Sequence, residues 1–151
     1  MKKFLCAILT LSTVFCLTAC GNDTTPADSA DTSQTQETVA QPPDLTGNWE
    51  QSNKNSETSY HTATIQGDTI EIYWVMTDTD TTALYWAGSF TPPTTAEEPY
   101  TWDSVNDKEK TDTSLLASGD ETKTFTYEDG QISYAASALG VTQTVTLEKT
   151  E

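Results

Sequence analysis

Arginine is absent, and the only basic side chains are seven lysines, set against 23 aspartates and glutamates for a formal net charge of −16. A chain this acidic repels phosphate instead of releasing counterions from it, which excludes nucleic acid as a partner. Histidine occurs once, at His61, and no Gly-x-Ser-x-Gly elbow is present, so zinc sites and the common serine-hydrolase turn lack their residues. The longest apolar stretch, Phe4 to Leu17, is shorter than the roughly twenty residues that a membrane-spanning helix needs. No apolar repeat of period 3.6 runs far enough to predict a helix. Hydrophobic residues are only 35% of the 151, yet 4 Trp, 6 Tyr and 4 Phe are more aromatics than a wholly disordered chain carries. The length suits one domain.

Cysteine is scarce and confined to the first twenty residues, at Cys6, Cys16 and Cys20. Lys2 and Lys3 precede the apolar run, which has the length and charge order of an export signal. It ends in Leu17-Thr18-Ala19-Cys20, and this tetrad resembles the lipobox of bacterial lipoproteins position by position. The resemblance implies a diacylglyceryl group on the Cys20 sulfur, cleavage before Cys20 and often a further acyl chain, such as palmitate, on the new amino terminus. Residues 1–19 are then the signal peptide, and Cys6 and Cys16 leave with it. Two chains give stable anchoring where one is marginal, at about 0.8 kcal/mol per buried methylene. The one remaining cysteine is lipidated, so the mature protein forms no disulfide and no thiolate metal site.

Residues 20–43 carry the lipidated cysteine and then GNDTTPADSADTSQTQETVAQPP, with no aromatic and one β-branched aliphatic, Val39. Such composition buries too little apolar surface to offset the entropy of ordering, and it predicts a disordered tether with an average reach of about 25–30 Å. The pattern changes at Asp44, where a single domain covering 44–151 begins, with nineteen acids and five lysines, about −14.

From there the apolar period is two. Gly67-Asp68 is a two-residue hairpin turn, Glu128-Asp129-Gly130 a second tight turn and Leu139-Gly140 a third. Ile70, Ile72, Trp74 and Met76 share one strand face, as do Leu84, Trp86, Gly88 and Phe90. A three-residue connection would set Ile72 opposite Trp86 and Trp74 opposite Leu84. A four-residue one would cross the faces, because register and face are linked by the two-residue repeat. An odd-length loop or a β-bulge is therefore expected. Further strands are predicted near 100–106, 114–118, 122–128, 131–136 and 141–149. Eight or nine short strands make an all-β antiparallel meander, either a barrel or, alternatively, a sandwich or partly open barrel.

Leu45-Thr46-Gly47-Asn48-Trp49 resembles the Gly-x-Trp opening of lipocalins and related calycin barrels. The resemblance implies a lipocalin-like barrel with Gly47 bending the first strand and Trp49 plugging one end. The lipocalin arginine that stacks on that plug has no counterpart here, and Lys149 is the residue available to replace it. Residues 49–148 also look like small lipoproteins of Gram-positive bacteria, which implies display on the outer face of the cell membrane.

Aromatics are the richest candidate feature. Tyr73, Val75 and Tyr85 are expected to form an outer patch for a protein partner or to line a cavity for a small ligand, and a deep cavity lined by Trp74, Trp86 and Phe90 would be the mark of apolar-ligand binding. The plainer alternative is that the fold buries both faces itself. His61 shares a face with Ala63 and Ile65 and reads as a semi-buried structural residue. The competing reading is a hydrolase-like surface enzyme using His61 with a nearby carboxylate. Acid pairs such as Asp78 with Asp80 and Asp107 with Glu109 lack the spacing of a calcium loop and read as solvated turns. The expectation is a monomeric, extracytoplasmic lipoprotein that binds a small apolar ligand or an envelope or phage protein, with no cofactor, no metal and no catalytic residues.

Overall fold

The structure is a computed structural model that describes residues 40–138 and 140–150. The export signal, Cys20 and the tether up to residue 39 lie outside the described residues. Eight antiparallel strands follow one another: β1 (Gly47–Gln51), β2 (Ser59–Gln66), β3 (Thr69–Met76), β4 (Thr81–Ser89), β5 (Tyr100–Asn106), β6 (Thr122–Glu128), β7 (Gln131–Ala138) and β8 (Val141–Lys149). Each pairs with the next, and β8 returns to β1 through Trp49–Lys149, Glu50–Glu148 and Gln51–Leu147. The meander is thus a closed barrel, and the sandwich alternative falls away. Closure leaves no lengthwise sheet edge between its first and last strands.

The turns follow from their residues. Asp129 and Gly130, at φ +50° and +80°, connect the Glu128–Gln131 pair, the left-handed geometry that lets a two-residue turn match the twist of its strands. Gly67, at φ +60°, begins the turn inside the Gln66–Thr69 pair.

The β3–β4 connection is the instructive one. Met76 pairs with Thr81, so the loop has four residues, the length that crosses the faces. A bulge corrects it: the register shifts between Ile72 and Tyr73, which pair with Trp86 and Leu84, leaving Tyr85 as the extra residue. Ile72 does face Trp86, but Trp74 faces Ala83 in place of Leu84, and Leu84 turns to the outside with Tyr73.

Segment 114–118 is not a strand. It belongs to a strap between β5 and β6 that begins with a single turn of helix, α1 (Lys108–Thr111). The reason lies at the barrel's weakest seam, where β4 and β5 share two residue pairs, Gly88–Asn106 and Ser89–Val105. Beyond them the strap serves the β4 carbonyls one at a time. Asp107 N–H donates to Ala87 O at 2.8 Å, Ser118 N–H to Tyr85 O at 2.8 Å, and Ser114 Oγ–H to Leu84 O at 2.7 Å. Those carbonyls would otherwise be lost to a buried edge.

Eight strands enclose a lumen just wide enough for side chains to fill. Ile65, Ile70, Ile72, Trp86, Phe125, Ile132, Val145 and Leu147 are all at 0% exposure and form its core. At the end where the chain enters, Trp49 is buried and its Nε1–H donates to Leu45 O at 2.9 Å. Lys149 Nζ stands 5.8 Å from the Trp49 ring centre and donates to Asp44 O. Gly47, at φ +132°, leaves room for that lysine: a Cβ there would lie 2.9 Å from Lys149 Cε.

Candidate functional site

Two places concentrate chemistry: a buried polar cluster at the end of the lumen opposite the chain's entry, and the outer face of β2–β4.

The inner cluster is built by strand parity. His61 on β2, Tyr134 on β7 and Lys123 on β6 point inward, and the bulge turns Tyr85 inward to join them. His61 is 1% exposed, and its Nδ1 shares a 2.5 Å hydrogen bond with the Tyr134 hydroxyl. Its ring packs edge-on to Trp74 with centres 4.4 Å apart and lies 4.8 Å from Tyr85. Nε2 is buried and has no hydrogen-bond partner. Burial brings the imidazole pKa down to about 4, and the positive charge of Lys123 adds to the shift. Burial likewise pushes the Tyr134 phenol well above its usual range, with Tyr85 contributing. His61 is therefore a neutral imidazole at pH 7, and its side-chain hydrogen bond runs to a phenol, where general-base catalysis would need a carboxylate or nucleophile.

Lys123 is the unexpected member. Its side chain is 5% exposed, with Nζ 2.9 Å from Asp120 Oδ2 and 5.3 and 5.2 Å from the Tyr85 and Trp86 ring centres. A buried cation is tolerable only with such partners. Asp120 is held below its usual pKa by the Ser118 hydroxyl and then by Lys123, so the pair pins the strap to the barrel. Parity puts Lys123 on the same face of β6 as Phe125 and Tyr127, opposite Thr122, Thr124 and Thr126, a signal that the sequence reading passed over.

Trp74 covers the cluster. Its Nε1–H donates to Ser59 Oγ at 2.7 Å, and with Ala136, Ala138, Val141 and Gln143 it lines a cavity of about 180 Å³ at the barrel mouth. Trp86 and Phe90, expected beside Trp74 around an apolar cavity, are packed solidly instead, Phe90 against Trp102 and Trp86 with its Nε1–H on Ser104 Oγ.

The outer face differs from expectation in one residue. Tyr73 and Val75 lie on it, half-buried, but Tyr85 does not: the bulge takes it into the lumen, 1% exposed, where its hydroxyl accepts the Ser137 N–H. Leu84 takes its place beside Tyr73, and the strap adds Leu115, fully exposed, and Leu116. Tyr73 Oη–H donates to Glu71 Oε2 at 2.8 Å, and Lys110 of the strap holds Glu71 Oε1 at 2.6 Å. Lys110, followed by the Tyr73 hydroxyl, keeps the Glu71 carboxyl below its usual pKa.

Among the described residues no group of three or more His, Cys, Asp or Glu is placed to hold a metal ion. No helix there is long and apolar enough to cross a membrane. No family model, curated protein or solved structure matches the chain.

Proposed function

We propose that this chain is an exported lipoprotein, anchored through Cys20, whose barrel binds a protein partner on its outside. The observation that carries this choice is the packed lumen: Ile72, Trp86 and Phe125 are at 0% exposure where a carrier of apolar molecules keeps a cavity, typically of about 300 Å³ or more. The half-buried Tyr73, Val75 and Leu84 on the outer face supply apolar surface outside the packed lumen. A hydrolase built on His61 has little support, because that ring is 1% exposed, closed off from a substrate, and its side-chain hydrogen bond is to a phenol.

Two measurements on the native host test the reading. Radioactive palmitate should label the wild-type chain and not Cys20→Ser. Native mass spectrometry of the recovered protein should show a co-purifying polypeptide. A stoichiometric small apolar molecule in its place, or unlabelled wild-type protein, would overturn it.

A further inference from the structure

The reading above leaves open which surface engages the partner and what chemistry that partner carries. The strap answers the first question. Three contacts fasten it to β3 and to the edge of β4: Lys110 on Glu71, Ser114 on the Leu84 carbonyl and Ser118 on the Tyr85 carbonyl. Leu115 follows Ser114 directly, and Leu84 pairs with Tyr73, whose strand neighbour two residues on is Val75. Leu115 is fully exposed and Leu116 half-exposed on a segment that could have carried any polar residue without cost to the barrel. The sheet face thus offers Tyr73, Val75 and Leu84, and the strap bonded to β4 offers Leu115 and Leu116.

Charge answers the second question. All five lysines of the domain are engaged within it: Lys54 with Glu50, Lys108 with Glu121, Lys110 with Glu71 and Asp107, Lys123 with Asp120, and Lys149 on the Asp44 carbonyl. Asp112, on the strap itself, and Asp78 and Asp80, on the β3–β4 loop that follows Met76, are exposed. A second copy of the domain, at about −14, is repelled. So are an anionic bilayer and the chain's own residues 21–43, which bring four more acids and no aromatic. What remains complementary is a polypeptide that offers apolar anchors between lysines or arginines.

We propose that Tyr73, Val75, Leu84, Leu115 and Leu116 form the docking surface for a basic, amphipathic segment of a partner protein. This rests on the outer-surface reading given above. The test uses the full chain in phosphatidylcholine nanodiscs, with empty discs as blank, and a labelled synthetic peptide of leucines interspersed with lysines. Binding is read by fluorescence anisotropy. Replacing the peptide's lysines with glutamates, or its leucines with serines, should each weaken binding at least about tenfold. Tyr73→Ser and Leu115→Ser in the protein should do the same, while Val141→Ser, an exposed apolar residue at the barrel mouth, should change nothing. Leu115 contacts nothing in the core, so its substitution leaves the fold intact. Equal binding of the serine peptide would reduce the effect to bulk charge and overturn the proposal, as would unchanged binding by Tyr73→Ser and Leu115→Ser together. If those variants still recover the native partner in full, this face is wrong while the partner reading stands.

Discussion

Acid should weaken this barrel through one residue. His61 is held neutral, with a folded pKa of about 4 against 6.5 for a free imidazole, so the unfolded chain binds a proton that the folded one refuses. Stability is therefore undiminished above pH 6.5 and falls as pH drops from there toward 4. Linkage puts the loss between pH 7 and pH 5 at about 2 kcal/mol. For a domain of this size that figure is about 8–12 °C in melting temperature. Carboxylates do not confound the window: Asp44, Glu71 and Asp120 have lowered pKa values, so their contribution is present above about pH 4.5 and is lost only on further acidification. The assay is urea unfolding at pH 7 and pH 5, followed by tryptophan fluorescence, for wild type and for His61→Gln. The variant keeps a polar atom for Tyr134 but cannot take up the proton. Wild type should lose the stated amount and His61→Gln should lose almost nothing over the same interval. Because the chain has one imidazole, its Cε1 proton gives a single assignable NMR signal. A titration midpoint of that signal near 6.5, or an equal pH slope in the variant, would refute the reasoning.

Three further perturbations probe the architecture. Phe125→Ala removes a ring at 0% exposure that stacks on Trp102 and contacts Tyr134, and should cost about 3–5 kcal/mol in urea unfolding. Gly47→Ala places a Cβ at φ +132° and 2.9 Å from Lys149 Cε, and should cost about 1–3 kcal/mol, read as a lower melting temperature. Asp120→Ala strands the buried Lys123 ammonium, whereas Lys123→Met replaces it with an apolar chain of similar length. The first should therefore be the more destabilising by calorimetry, and an equal or reversed order would show that the lysine is not confined as described.

Much of this molecule is written locally. Period-two alternation, with Gly67, Asp129 and Gly130 where backbones must turn left-handed, makes strands and hairpins readable without any tertiary information, since the signal spans only a few neighbouring residues. The inward placement of His61, Ile70 and Ile72, and the facing of Ile72 with Trp86, follow from the same parity. What tertiary structure alone decided comes from closing the barrel. A four-residue loop joined to a shared apolar face demands a bulge somewhere, but only packing puts it at Tyr85, exchanging that ring with Leu84 and thereby redrawing both the lumen and the outer surface. The short β4–β5 overlap likewise turns residues 114–118 from an expected strand into a strap, and only there does Lys123, whose inward face parity with Phe125 already sets, meet Asp120 and two rings. A strand pattern states which residues share a face. The partners they meet depend on the stagger that eight strands must adopt to close, and no short window of sequence contains that constraint.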